Sequence, residues 1–211
     1  TIGYEQLAVD LTALLARRQL DKNVKNALDF ALLEDFDHLY RYANLLETDM
    51  GEHAERYVGS YTEIMPARPT VAHARHPYDS IKKPICNKTA DPLAMCDVSI
   101  ITAAEQQTMN YYMNLGAFYK HKVGREIYSE IAMVEEQHVT QYGSLIDPTA
   151  TPLESLLMHE YIECYLYYSM LNDEVDANIK NIWAMFYEQE LAHLHEVLKL
   201  LRKYEKKDWK D

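Results

Sequence analysis

Two Glu-x-x-His sequences are the residues of this chain whose types and spacing point most directly to chemistry. They run from Glu135 to His138 and from Glu190 to His193. Side chains three residues apart lie on the same face of an α-helix, so the carboxylate and the imidazole of each pair can bind one metal ion together. The spacing therefore predicts metal ligands on two helices.

A lone glutamate stands at the same distance before each pair. The interval from Glu105 to Glu135 equals the interval from Glu160 to Glu190. The second set also follows the first at one constant offset: 105 to 160, 135 to 190 and 138 to 193. Such a constant offset indicates an internal duplication of one functional pattern.

The elements that must position these residues are predicted to be helices. Long stretches lack both glycine and proline, and apolar residues recur at helical spacing. Six helices are predicted, over about residues 4–20, 22–50, 98–121, 124–143, 153–174 and 177–206. Asp21 and Asp97 are the expected N-caps of the second and third. In an antiparallel hairpin, two residues at one height are equally far from the turn. The midpoints of the acid intervals therefore place turns near residues 20, 120 and 175, each between two predicted helices.

A third, weaker copy of the pattern lies near the N-terminus. Asp35 and His38 form an Asp-x-x-His pair, and Glu5 precedes Asp35 by the same interval as in the other two copies. Two interpretations of this degenerate second site are open. In the favoured one, the N-terminal hairpin covers the main bundle and its acids face water. In the other, it pairs with the same hairpin of a second chain to form another bundle.

The third to sixth predicted helices are expected to form the bundle that holds the main site. Its six ligands are Glu105, Glu135, His138, Glu160, Glu190 and His193. Four carboxylates turned into an apolar core would repel one another and lose hydration, and two divalent cations would remove that cost. Mixed oxygen and nitrogen ligation with open positions suits iron or manganese better than zinc or calcium. Buried structural ion pairs are the alternative.

Composition limits the classes of protein to which the chain can belong. Its 211 residues carry a net charge of −12, which argues against a surface that binds nucleic-acid phosphates. Three scattered cysteines fit a reducing cytoplasm better than a disulfide framework. No apolar run approaches the ~20 residues that span a bilayer. We expect a cytoplasmic protein that binds neither nucleic acid nor membrane.

Residues 51–97 differ from the rest of the chain. Five of the seven prolines fall here, with histidines and cysteines whose spacing matches no standard metal site. A segment of this kind is typical of a connector or of a functional loop. The predicted organisation is a helical hairpin at 1–50, an irregular connector at 51–97 and a four-helix bundle at 98–211.

Two stretches resemble the ferritin-like superfamily and, within it, the rubrerythrins. A Glu-x-Gln-x-x-Asn-x-Tyr run extends from Glu105 to Tyr112, and Glu160 is followed three residues later by Glu163. The resemblance covers about half the chain. It implies an all-α, ferritin-like four-helix bundle with a diiron centre, here preceded by an extra N-terminal helical hairpin. It also implies that Glu163 exchanges with His138 as the centre changes redox state; a surface acid is the other interpretation of Glu163.

These features predict a non-haem oxidoreductase of rubrerythrin type that reduces peroxide or dioxygen with two iron ions, or with manganese in their place. Electrons would come from a separate donor, because the chain contains no rubredoxin module, and we expect a homodimer. Tyr112 is a candidate catalytic residue at the level of the ligands, with core packing as its alternative role. Manganese catalase, ferroxidase and hydroxylase activities fit the same ligands. A metal-binding protein without turnover is the alternative from another class.

Overall fold

The computed structural model describes residues 1–58 and 81–210. Within this part of the chain all regular structure is helical and no β-strand is present, which confirms the all-α prediction. The described residues form six α-helices: α1 (Ile2–Arg18), α2 (Lys22–Met50), α3 (Pro92–Phe118), α4 (Lys122–Gly143), α5 (Pro152–Asp173) and α6 (Ala177–Leu200). A 3-10 turn, Ala54–Arg56, follows α2, and a π-helical turn, Leu201–Glu205, continues α6.

The chain divides into two compact units. The first unit comprises Thr1–Ile85 and Asp91–Ile146 and contains α1 to α4, and the second comprises Cys86–Ala90 and Asp147–Asp211 and contains α5 and α6. The sequence-based division differs, because it placed α3 to α6 in one bundle. Within the first unit, α1 packs on α2 and α3, and α4 packs on α3 and α2.

Connector lengths give a physical reason for this grouping. Residues 51–91 join α2 to α3, whereas only residues 144–151 join α4 to α5. A crossover that returns along a helix of 22 residues must cover about 33 Å. The connector after α4 reaches at most about 32 Å when fully extended. The longer connector, residues 51–91, is therefore much better suited to return along a helix.

The hairpin turns lie where the sequence analysis placed them. Residues 19–21, 119–121 and 174–176 separate the two helices of each hairpin, and they include the predicted midpoints. Each lone glutamate is therefore level with the acid that pairs with it across the turn. The turn positions thus agree with the spacing of the candidate ligands within each hairpin.

The helix caps agree with the sequence analysis at α2 and differ at α3. Asp21 caps α2 as predicted, since its side chain accepts hydrogen bonds from two backbone amides at 2.8 and 3.1 Å. Asp97 was the predicted cap of the third helix, but it lies buried inside α3 and accepts a hydrogen bond from Gln19 at 3.0 Å. The helix begins earlier than predicted, at Pro92, because Asp91 caps it and proline suits its first turn.

Aromatic and aliphatic side chains fill the core of the first unit. The buried cluster consists of Tyr42, Leu45, Tyr112, Tyr128, Ile131 and Ala132. The ring centroid of Tyr112 lies 5.1 Å from that of Tyr42 and 6.0 Å from that of Tyr128. Burying each large side chain contributes about 1.5–3 kcal/mol, so this core holds α2, α3 and α4 together, and Ile2 of α1 packs against it.

Close contacts fix how the four helices are aligned. At Gly116 an added Cβ would lie 2.7 Å from the Cβ of Tyr128, so α3 and α4 approach each other closely there. Thr1 Oγ1 lies 2.6 Å from the Tyr128 hydroxyl, and the Tyr119 hydroxyl donates a hydrogen bond to Asp49 at 3.0 Å. These contacts tie both helices of the first hairpin to the second.

The second unit is built on the α5–α6 hairpin. Thr151 and Glu154 form a capping box at the start of α5, and Asp176 caps α6. Residues 174–176 are the whole connection between the two helices, as expected for an antiparallel pair.

The predicted connector at 51–97 is shorter than expected, because residues 92–97 already belong to α3. Its residues 59–80, with three of its prolines and two of its histidines, lie outside the described residues. Among the helices described, none combines the length and apolar character needed to cross a membrane.

Candidate metal centre

Six ionisable side chains meet inside the first unit. Each hairpin contributes one lone glutamate and one acid–histidine pair. The six are Glu5 from α1, Asp35 and His38 from α2, Glu105 from α3, and Glu135 and His138 from α4. None is more than 2% exposed, so the cluster is withdrawn from water.

The two hairpins present their ligands in the same pattern. Every member of the first set has its counterpart at one constant offset: 5 and 105, 35 and 135, 38 and 138. Because each set is level within its own hairpin, pairing the hairpins brings both sets to one height. The constant offset between the first and second sets of residues was therefore a sequence signal that these two hairpins pair. The offset between the second and third sets is equally constant, so the sequence did not favour one pairing over the other.

Glu135 lies between the two histidines. Its Oε1 is 3.0 Å from His38 Nδ1, and its Oε2 is 3.1 Å from His138 Nδ1. The two imidazole centroids are 6.0 Å apart. A carboxylate whose two oxygens face two different imidazoles is positioned to bridge two metal ions.

The ligand atoms form two overlapping groups, and in each the atoms lie within 4.8 Å of one another. The first group consists of Asp35, Glu105, Glu135 and His138, and the second of Glu5, His38 and Glu135. Atoms that bind one ion at about 2.1 Å are about 3 to 4.2 Å apart. Small side-chain movements would therefore allow each group to bind an ion, with Glu135 shared.

Two further residues hold members of the cluster in place. His138 Nε2 lies 2.8 Å from Glu34 Oε2, and Thr12 donates a hydrogen bond to Asp35 at 3.0 Å. A carboxylate on the outer nitrogen of an imidazole fixes which nitrogen faces a metal. Glu34 was not among the predicted site residues, since its only signal in the sequence is an acidic run, Glu34 to Asp37, between apolar residues of α2.

Burial changes the protonation of the carboxylates. It raises the pKa of Glu5 and of Glu105 well above the usual value, and the charge of Glu135 raises both further. Burial also raises the pKa of Asp35 to about 6, although the charge of His138 opposes the change. Without metal ions, protons are the positive charges that these carboxylates take up.

Glu135 and His138 form the ionised pair of the cluster. Burial opposes the charge on Glu135, but the nearby charges of His38 and His138 lower its pKa. Burial likewise opposes the charge on His138, but Glu105 and hydrogen bonds to the surrounding carboxylates raise its pKa well above the usual value. The centre is therefore an electrostatic environment that favours positive charge.

Several polar atoms of the cluster are buried without a hydrogen bond of normal length and angle. They are both carboxylate oxygens of Glu5, Asp35 Oδ1, His38 Nδ1 and Glu105 Oε1. Leaving such atoms unsatisfied costs about 1–3 kcal/mol each. All five belong to the two groups of candidate ligands and are oxygen or imidazole donors, so they fit divalent cations.

The structure brings together a different set of predicted ligands from the one grouped by sequence. Glu105, Glu135 and His138 meet the N-terminal set, which was expected to face water and is instead buried. Packing of the apolar faces of α1 and α2 against α3 and α4 is the reason. The same packing replaces the alternative in which N-terminal hairpins of two chains pair.

The remaining predicted ligands, Glu160, Glu190 and His193, form a group of their own in the second unit. His193 Nδ1 lies 2.9 Å from Glu190 and 3.7 Å from Glu160. Burial and the neighbouring Glu190 raise the pKa of Glu160, and the hydrogen bond to Glu190 raises that of His193. The predicted level of these three residues within their hairpin is thus observed.

The two candidate catalytic residues belong to different units. Tyr112 is fully buried in the first unit, where burial and the negative charge of Glu5 raise the pKa of its hydroxyl. Glu163 is on α5 in the second unit, and none of the ligand groups found among the described residues includes it. The expected exchange of Glu163 with His138 therefore stays a prediction that nothing in the site supports.

A cavity of about 340 Å³ borders the first unit beside Tyr112. Small residues of α3 and α4 line it together with two methionines, Met113 and Met133, and with Arg125 and Glu136. Tyr112 is thus part of the cavity wall on one side and an electrostatic neighbour of Glu5 on the other.

Without metal ions, the stability of the protein is expected to fall as the pH rises above about 4.5. The pKa of Asp35 rises from 3.8 to about 6 on folding. Its contribution is therefore complete below 3.8 and lost as the pH passes 6, about 3 kcal/mol for this residue alone. The raised pKa values of Glu5, Glu105 and His138 change the stability in the same direction. The lowered pKa of Glu135 affects the stability only at lower pH.

The melting temperature in EDTA between about pH 5 and pH 7.5 measures this effect. We expect it to fall with pH, to fall less in Asp35→Asn, and to fall least with Mn²⁺ present, because bound cations replace the protons. A melting temperature that rises with pH in EDTA would contradict the buried, metal-free arrangement.

Comparison with known proteins identified no relative of the chain. No protein-family model matches it, and no significant match was found among curated proteins or among solved structures.

Proposed function

We propose that the first unit binds two metal ions and is a di-metal oxidoreductase. The observation that carries this proposal is the buried set of four carboxylates and two imidazoles around Glu135. With all four carboxylates ionised, two divalent cations would balance their charge. Structural ion pairs alone would leave several carboxylate oxygens buried without a partner.

The ligand pattern supports a carboxylate-bridged centre of the ferritin-like, rubrerythrin type. In such centres a glutamate comes from each of two helices, and a Glu-x-x-His pair comes from each of the other two. Here Glu5 and Glu105 are the lone glutamates, and Asp35-x-x-His38 replaces one of the two Glu-x-x-His pairs. The long connection between α2 and α3 also matches the single crossover of ferritin-like bundles.

Iron is the metal that we propose, with manganese as the alternative. Mixed carboxylate and imidazole ligation suits both ions, whereas calcium and magnesium prefer oxygen ligands alone. Ferrous ions bound at these ligands would supply electrons to peroxide or dioxygen. A separate protein would return the electrons.

The residues around the centre have defined roles in this proposal. The carboxylates would hold the ions, and Glu34 would keep His138 oriented through its outer nitrogen. The cavity beside Tyr112 offers a small oxidant a place near the centre. The raised pKa of Tyr112 keeps its hydroxyl protonated, so it would donate a hydrogen bond rather than release a proton.

The test is anaerobic loading with Fe²⁺, removal of unbound iron and mixing with hydrogen peroxide in a stopped-flow spectrometer. We expect the bound iron to oxidise faster than free Fe²⁺, and repeated turnover to follow when a reductant is added. Tyr112→Phe preserves the packing and is expected to slow oxidation without reducing the iron content.

Two results would reject parts of this proposal. If the chain binds iron in the first unit but shows no peroxide- or dioxygen-dependent oxidation, the metal-binding alternative without turnover replaces the enzyme. If the first unit binds no iron at all, the cluster is structural.

A further inference from the structure

The α5–α6 hairpin carries a heptad pattern on the side of its ligands. Leu156, Glu163 and Met170 recur in a heptad repeat on α5, and Ile179, Phe186 and His193 do so on α6. We refer to these six residues as the heptad face. Residues seven apart lie on one side of a helix, so these six, of which four are apolar, form one strip along each helix.

The heptad face is partly open to solvent. Leu156, Met170 and Ile179 are 38, 42 and 41% exposed, and the imidazole of His193 is 59% exposed. The two helices of the hairpin together bury only Ile162, Cys164 and Val197. By contrast, α3 alone buries nine residues and α4 eight. A two-helix hairpin with so little burial is marginally stable by itself, because most helical stability comes from packing.

The ligand group on this hairpin is half of the set found in the first unit. Glu160, Glu190 and His193 match Glu105, Glu135 and His138 in type and spacing. In the first unit such a half-set is completed by a second hairpin with the same pattern. The group of three therefore has the composition of a site that needs another hairpin.

We infer that two copies of this chain pair their α5–α6 hairpins through the heptad face and form a second, intermolecular di-metal site. A two-fold axis places the same patch of both copies against itself. Each copy then contributes Glu160, Glu190 and His193, which gives four carboxylates and two imidazoles. That is the composition of the centre in the first unit.

Charge and area both favour a second copy as the partner. The doubled carboxylates repel one another unless cations lie between them, so pairing and metal binding require each other. Helices about 33 Å long and about 10 Å apart present a face of roughly 33 by 20 Å, or about 650 Å² per copy. That approaches the ~800 Å² per partner of a standard interface. The other two hairpins of the chain already pack on each other.

The test is sedimentation of the full chain with increasing Mn²⁺, combined with metal analysis of the separated species. We expect a monomer in EDTA and a dimer with Mn²⁺. The dimer gains one ion per chain beyond the two of the first unit. The test variant is Glu190→Ala with His193→Ala, which should stay monomeric and lose that one ion.

The matched control is Glu188→Ala with His195→Ala. These exposed residues are on the same helix, on the opposite side from the ligands, and this variant should dimerise as the wild type does. Circular dichroism checks that both variants remain helical. A wild type that stays monomeric at saturating Mn²⁺, or a test variant that dimerises as well as the control, would overturn the inference.

The outcome is independent of the proposed function. Glu135→Ala should lose the ions of the first unit and still dimerise with one ion per chain. A dimer that forms with that one ion alone, in the wild type as well, would support the intermolecular site and reject the centre in the first unit. Two ions per chain without dimerisation would support the centre in the first unit and reject the intermolecular site.

Discussion

Replacing Glu135 with alanine is expected to remove both metal ions from the first unit. Glu135 is the one residue shared by the two ligand groups, and its two oxygens face two different histidines. Loss of an outer-shell partner alone weakens metal binding about 10- to 100-fold. We therefore expect loss of the shared ligand to weaken binding by more than about 100-fold at both positions. Metal analysis after Mn²⁺ loading and desalting measures the loss.

The matched control for this variant is the neighbouring Glu136→Ala. Glu136 has the same side chain on the same helix, but it is exposed and outside both ligand groups. It should bind as much metal as the wild type. Removing this charge relieves its repulsion of Glu5 and Glu105 but takes away the partner of His38 and His138, so circular dichroism checks that the metal-free Glu135→Ala protein remains folded. Equal metal contents in the two variants would reject the bridged centre.

The metal content of a second set of variants distinguishes the hairpin pairing seen in the structure from the pairing predicted from the sequence. A variant with Glu190→Ala and His193→Ala should keep both ions of the first unit, because its own four helices supply all six ligands there. Adding His38→Ala to this variant should lower the metal content from two ions per chain to one. The reason is that the group of Glu5, His38 and Glu135 loses its only imidazole.

His53→Ala in the same background is the control for His38→Ala. His53 is exposed and belongs to the first unit but to neither ligand group. It should leave two ions per chain. If Glu190→Ala with His193→Ala alone removed the metal and His38→Ala had no further effect, the α3–α6 bundle would be the correct grouping.

The sequence by itself determined the local features of this protein. Glycine- and proline-free stretches with apolar periodicity identified all six helices, and the acid spacing located the turns near residues 20, 120 and 175. Both are properties of residues close together in the chain or within one hairpin. The types and levels of the ligands follow from them, including Glu105, Glu135 and His138.

The tertiary structure decided which hairpins meet. Three hairpins carry the same pattern at constant offsets from one another, so the pattern is equally compatible with several pairings. The choice depends on the fit of distant apolar faces and on connector length, neither of which a motif records. Burial of Asp35 and the contact of Glu34 with His138 exist only once α2 packs on α4. For that physical reason the candidate ligands could be predicted from sequence, but which of them lie together could not.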